Sequence, residues 1–116
     1  MEYLLSKEQL IAKFGVPDFV LKTQRQIAKD FMIVSFKMDP KFESEEFNYD
    51  QIKNEVACQL VEVMKLGETT LLQLLYQIDI PQSKFLNLIS EVDFVQQMSD
   101  MIIRREAYKV YLRSKF

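Results

Sequence analysis

The residue types that most often do chemistry in proteins are scarce in this chain. Among 116 residues there is no histidine and a single cysteine, Cys58. The lack of histidine excludes His-based acid–base catalysis, serine and cysteine triads, and metal sites with an imidazole ligand. Cys58 lies in a helical pattern with no neighbouring cation or base to activate its thiol. We therefore expect it to be a small buried side chain, neither a nucleophile nor part of a disulfide.

Carboxylates are abundant between residues 39 and 50, where five acids and one lysine give a net charge of −4. This segment is predicted to be a solvated loop, in which acid catalysis is not expected. It lacks the ligand spacing and the turn glycine of a calcium-binding loop. The only glycines, Gly15 and Gly67, stand alone, so there is no phosphate-binding glycine loop. The sequence thus predicts no enzyme, cofactor or metal site, and no small-molecule substrate is evident.

Basic residues are concentrated near the C-terminus, where residues 104–116 have a net charge of +4. The cations there are Arg104, Arg105, Lys109, Arg113 and Lys115. Cations at the C-terminal end of a helix complement its macrodipole, which is the simplest interpretation. A second interpretation is pairing with the acidic segment 39–50, within one chain or between chains. A third is binding to nucleic-acid phosphates, with bases stacked on Tyr108 and Tyr111.

Residues 69–89 have the outline of a helix-turn-helix, with apolar residues near the positions that hold such helices crossed. The side chains that would face base edges are Gln82, Ser83, Lys84 and Asn87. Two departures weaken the resemblance: Leu75 stands where a small residue is common, and Asp79 where glycine is common. The net charge of −3 over residues 68–93 also has the wrong sign for phosphate contact. An ordinary helical hairpin is favoured, with Leu71–Leu75 (LLQLL) as core and not as a docking motif.

Helices are the elements predicted to position all these residues. Capping boxes at Ser6/Gln9 and Asn48/Gln51, with Gly15 and Gly67 as helix stops, mark two of them. The predicted helices are 6–14, 18–38 (capped by Asp18), 48–66, 68–78, 82–90 and 93–114, with a loop over 41–47. Residues 31–38 also alternate as a strand would, but the apolar stripe that enters from Val20 favours a helix.

Together these elements predict an all-α bundle of five or six helices that forms one domain over residues 1–116. The predicted core residues are Val20, Ile27, Phe31, Val34, Ile52, Val56, Leu60, Leu71, Leu74, Leu75, Phe85, Leu88, Met98 and Ile102. No signal-peptide pattern is present and the longest strictly apolar run covers only residues 31–34, so a cytoplasmic protein without membrane contact is expected.

The last helix is apolar on more than one face, and such a helix must be covered on more than one side. It is therefore either the central helix of the bundle or one that packs against a second chain. From the second possibility we expect a small non-enzymatic interaction or structural protein, a homodimer or a binder of another protein. The interface candidates are Arg105, Tyr108, Tyr111 and Leu112. A nucleic-acid-binding regulator, using the 69–89 hairpin or the basic terminal helix, is the alternative.

Overall fold

The computed structural model describes residues 6–13, 15–34 and 37–115, and over these residues the chain is helical with no β-strand. The helices are α1 (Lys7–Lys13), α2 (Pro17–Phe31), α3 (Pro40–Ser44), α4 (Tyr49–Lys65), α5 (Glu68–Ile78), α6 (Gln82–Leu88) and α7 (Phe94–Lys115), with a 3₁₀ turn at Met32–Val34. Six of these described α-helices have seven residues or more. The prediction of an all-α bundle is confirmed.

Two helices begin at the predicted capping boxes. At α1 the Gln9 backbone N–H donates to Ser6 Oγ at 3.1 Å, and the Ser6 N–H donates to Gln9 Oε1 at 2.9 Å. At α4 the same exchange joins Asn48 and Gln51, with both distances 2.8 Å. Each box satisfies two backbone donors that a helix start leaves without partners. The predicted end of the first helix, Phe14, lies outside the described residues.

The prediction of one helix over 18–38 places the start of α2 within one residue, but it is wrong about the cap and about the end of the helix. Val16 is the N-cap of α2 and Pro17 takes the first helical position, where its fixed φ suits a helix and its missing N–H is not needed. Asp18 is therefore not the cap. After Phe31 the chain tightens into the 3₁₀ turn, and residues 37–39 have no regular structure. Ser35 and Phe36 lie outside the described residues.

A short helix replaces part of the predicted acidic loop. The residue before a proline avoids helical geometry, and Asp39 before Pro40 is accordingly non-helical, with φ −52° and ψ 133°. Its carboxylate accepts from the Lys41 N–H at 2.9 Å and so caps α3. Phe42 of α3 is fully buried, which anchors this segment on the bundle. The loop prediction over 41–47 is thus wrong for residues 41–44.

The core forms around α7, which packs along α2 and α4 and also contacts α1, α5 and α6. Thirteen of the fourteen predicted core residues are buried, and Leu88 is half-buried. On α7 the side chains of Ile102, Ile103 and Ala107 are all 0% exposed. These buried side chains place the middle of α7 at the centre of the bundle, as one of the two interpretations of the last helix expects. Val95, Tyr108, Tyr111 and Leu112 of α7 are half-buried, so the rest of the chain covers the two apolar faces only in part.

None of the helices in the described part of the chain combines the length and the apolar character needed to cross a bilayer.

Candidate functional site

An open apolar groove runs along α5 and the turn that follows it, with a volume of about 620 Å³. Its lining residues are Thr69, Leu72, Gln73, Leu75, Tyr76, Asp79, Ile80, Pro81 and Gln82. Of these lining residues, Tyr76 has 84% of its surface exposed. We call this surface the α5 groove. The sequence predicts Leu71–Leu75 as core, but in the structure Leu72 is only half-buried and Gln73 is exposed, so that prediction is confirmed for Leu71, Leu74 and Leu75 alone.

The division of apolar residues on α5 explains why the groove stays open. Leu71, Leu74 and Ile78 point into the core and are at most 3% exposed. Leu72 and Tyr76, one helical turn apart, lie on a different side of the helix, where Leu72 is half-buried. No single packing direction can bury residues on both sides of one helix. The second side of α5 is therefore available to another molecule.

The end of the groove is shaped by a tight turn. Asp79 ends α5 in the left-handed conformation (φ 69°, ψ 40°), and the Ile80 N–H donates to the Leu75 carbonyl at 2.8 Å. This is the conformation that glycine adopts most easily, so Asp79 occupies the geometry of the residue it replaces in the helix-turn-helix pattern. Arg105 holds the turn, with Nε 3.2 Å from the Ile78 carbonyl and Nη2 3.1 Å from the Asp79 carboxylate.

The four predicted interface residues do not form one exposed patch. Arg105 is buried at 9% exposure and contacts the turn after α5 from inside the bundle. Tyr108, Tyr111 and Leu112 are half-buried, and the two tyrosine rings stack with their centroids 6.4 Å apart. Arg105 thus contacts the turn at the end of the α5 groove, while the other three residues lie on the partly covered side of α7.

The basic residues of α7 are largely paired with acids of the same chain. Arg104 lies 3.2 Å from Asp100, and Arg105 lies 3.1 Å from Asp79. Lys109 Nζ contacts Asp30 and Glu106, as described next. None of these partners belongs to the acidic segment 39–50. The side chain of Lys115 lies outside the described residues, and Arg113 faces α2.

A buried carboxyl pair joins α2 to α7. Asp30 and Glu106 are 1% and 0% exposed, and Lys109 Nζ lies 2.9 Å from Asp30 Oδ2 and 3.2 Å from Glu106 Oε1. Burial and the hydrogen bond and charge of Asp30 raise the pKa of Glu106 well above the ordinary value, against the opposing effect of Lys109. Burial would also raise the pKa of Asp30, but hydrogen bonds with Glu106 and Lys109 outweigh it and lower that pKa.

The chemistry open to this pair is limited by its burial, because no substrate can reach a carboxyl group that has no exposed surface. Its role is to fasten α2 to α7. The sequence contained a signal for it that the prediction missed. Glu106 falls at helical spacing between the apolar residues Ile102 and Val110, where a charged residue indicates a buried polar contact. Within the described residues no three acidic or cysteine side chains gather to hold a metal ion.

The nucleic-acid candidates lie on α6, a helix of only seven residues. Gln82, Ser83 and Asn87 are exposed and Lys84 is half-buried. The two helices and the turn of the predicted hairpin are present, but the excess of negative charge over residues 68–93 remains. Base recognition by this hairpin stays a prediction.

Cys58 is exposed, so the prediction of a buried cysteine is wrong. The buried stripe of α4 runs through Ile52, Val56, Leu60 and Val63, and position 58 faces away from it.

Comparison with protein-family models, curated proteins and solved structures found no match to this chain. Its function is therefore inferred from geometry and charge.

Proposed function

We propose that this chain is a non-enzymatic interaction protein that pairs with a second copy of itself through the α5 groove. The observation that carries the proposal is the exposed Tyr76 beside an open apolar groove on the same helix. Exposed apolar surface next to a concave site is typical of protein contacts, and tyrosine is one of the residues enriched at their centres. Such a surface gains free energy when another chain covers it.

The arrangement suits a two-fold dimer, in which the same surface of both chains meets. If two α5 helices pack antiparallel, Tyr76 of each copy lies against Leu72 of the other. Each Tyr76 ring then inserts into the groove of the other chain while it also lines the groove of its own chain. Thr69, Gln73 and Gln82 at the rim provide side chains that can hydrogen-bond across the contact.

The charge on each described surface determines whether the same surface of a second chain can pack against it. Asp79 is the only charged residue among the described lining residues of the α5 groove, and Arg105 pairs with it at 3.1 Å. When the grooves of two chains pack together, the Asp79 carboxylate of each chain is therefore already paired with Arg105 of the same chain. The acidic segment 39–50, with a net charge of −4, would repel itself, since like charges across an interface are strongly unfavourable. The same argument disfavours the cationic surface between α2 and α7.

Sedimentation velocity over a range of protein concentrations tests the proposal. The wild-type chain is expected to dimerise. Tyr76→Lys removes two symmetry-related contacts and is expected to weaken dimerisation by more than about 30-fold, which is the effect of losing a single central aromatic contact. Val92→Lys is the matched control: it makes the same change of charge at a fully exposed apolar residue outside the groove, and should dimerise like wild type.

Two outcomes would contradict the proposal. One is a wild-type chain that sediments as a monomer at every concentration. The other is a wild-type dimer that Tyr76→Lys leaves intact, which would place the contact elsewhere. Circular dichroism of Tyr76→Lys checks that the fold is kept, as expected for a side chain that is 84% exposed.

A further inference from the structure

We infer that a groove between α2 and α7 binds a small ligand that carries two or more phosphate groups. The groove has a volume of about 380 Å³, within the usual range for small-molecule sites. Its described lining residues include four cations and no carboxylate: Lys22, Arg25, Gln26, Lys29, Val110 and Arg113. We call it the basic groove. It is independent of the α5 groove and of the proposed dimer.

The concentration of positive charge in the basic groove is unfavourable for folding by itself. Lys22, Arg25 and Lys29 follow one another at spacings of three and four residues on α2, where like charges destabilise a helix. Arg113 of α7 adds a fourth charge. The chain has 17 acidic residues against 15 basic ones, so acids were available to neutralise this surface. A cluster in which three of the four cations have no carboxylate partner among the described residues indicates an anion supplied from outside.

The nearest ion pair does not neutralise the groove. Asp18 lies 3.1 Å from Lys22, but both side chains are largely exposed, and exposed pairs of this kind contribute little. Within the described residues, Arg25, Lys29 and Arg113 have no carboxylate at ion-pair distance. By contrast, Arg104, Arg105 and Lys109 on α7 each pair with one.

Two of the cations are held in place by the fold. Arg113 Nη1 donates to Gln26 Oε1, and Gln26 Nε2 donates to Asp30 Oδ1 at 3.0 Å, which ties the arginine to the buried carboxyl pair. Arg25 Nε donates to the Glu43 carbonyl at 2.9 Å. Each of these contacts uses one of the five N–H donors of a guanidinium group. A ligand therefore meets arginines that are already ordered, which lowers the entropy lost on binding.

The surroundings of the basic groove indicate the size of the ligand. A second cavity of about 250 Å³ shares Lys22 and Val110 with it and is also lined by Lys13, Val16, Asp18 and Phe19, so the phosphate groups are expected in the basic groove and not beside the Asp18 carboxylate. Phosphate groups would lie among the four cations, and an apolar or aromatic part of the ligand would reach Val16 and Phe19. A nucleoside diphosphate or triphosphate has this combination of chemistry and length.

Isothermal titration calorimetry at constant ionic strength tests the inference. The probes titrated into the protein are pyrophosphate, a nucleoside triphosphate and a single-stranded oligonucleotide. We expect saturable binding of pyrophosphate and of the nucleotide. The double variant Lys22→Glu/Lys29→Glu should weaken it by at least about tenfold, since two favourable charge contacts become repulsive. The control Lys41→Glu/Lys65→Glu makes the same change of net charge at exposed residues outside the groove and should bind like wild type. The milder Lys22→Gln/Lys29→Gln serves if the charge reversal does not fold.

Each outcome decides the inference. Equal affinity for pyrophosphate and nucleotide supports recognition of the phosphates alone, and tighter binding of the nucleotide supports the added contact at Val16 and Phe19. The inference is overturned if neither small probe shows saturable binding, if only the oligonucleotide binds, or if the groove and control variants lose affinity equally.

Discussion

At the scale of single residues, the buried pair of Asp30 and Glu106 makes stability depend on pH. Glu106 stays protonated in the folded chain over a pH range in which the unfolded chain has already ionised it. Stability therefore falls as pH rises above the ordinary glutamate value of 4.5 and toward the raised folded pKa. Asp30 acts in the opposite sense, since its stabilising effect is present above 3.8 and is lost as pH falls through its lowered pKa.

Glu106→Gln should remove the decline at higher pH. A glutamine amide resembles a protonated carboxyl group: it can donate to Asp30 and accept from Lys109, but it does not ionise. We expect the variant to exceed wild type in free energy of unfolding by about 1–3 kcal/mol at about pH 8, and the difference to shrink toward pH 4.5. Urea denaturation across this range measures it.

The control for that experiment is Glu46→Gln, a change at an exposed residue, which should leave the pH profile as in wild type. A Glu106→Gln variant with the same decline as wild type would show that Glu106 ionises normally in the folded chain.

At the scale of elements, the helices that the sequence predicted well are those with local signals at both ends. For α4 these are the capping box at Asn48 and the stop at Gly67, which has a φ of 111° that favours glycine. The end of α2 had no such signal. The apolar stripe continues in sequence through Met38, but the chain leaves the helix after Phe31 and brings Met38 into the core by a different path. Tertiary packing determines where α2 ends, and the spacing of apolar residues in the sequence does not contain that information.

The candidate sites also depend on tertiary packing that the spacing of residues in the sequence does not predict. The pattern of α5 indicated apolar residues on every side, but only the arrangement of neighbouring helices decides that Tyr76 is on the uncovered side. The basic groove joins Lys29 to Arg113, which lie far apart in sequence, and no spacing rule connects them. Glu106 was the exception, because its position within an apolar stripe could be read from the sequence.

The contribution of the capping box to the free energy of unfolding can be measured at the start of α4. Asn48→Ala removes the side chain that accepts from the Gln51 N–H at 2.8 Å. We expect a loss of about 0.5–2 kcal/mol in the free energy of unfolding, the usual effect of losing an N-cap. Chemical denaturation measures it.

The matched control is Asn54→Ala, the same substitution at an exposed position inside α4. There alanine has the higher helix propensity, so the change should be neutral or stabilise by up to about 0.7 kcal/mol. Equal losses at both positions would show that the capping box does not stabilise the start of the helix.

At the scale of the whole molecule, charges of opposite sign are separated on the surface although the net charge is only −2. Residues 39–50 are strongly acidic, the basic groove holds four cations, and the α5 groove contains one charge that is already paired. Under the two proposals, copies of the chain would meet without repulsion at the α5 groove and the basic groove would attract anions. Self-association and ligand binding would then use different faces of one small bundle.

Disulfide trapping at the α5 groove tests the central claim most directly. In a Cys58→Ser background, Gln73→Cys places a thiol on the exposed face of α5 between Leu72 and Tyr76, close to the two-fold axis of the proposed dimer. Ser90→Cys, exposed in the turn after α6, is the control. On mild oxidation we expect Gln73→Cys to form a covalent dimer rapidly, and Tyr76→Lys to suppress it. Cross-linking of Gln73→Cys that is no faster than that of Ser90→Cys would contradict the account.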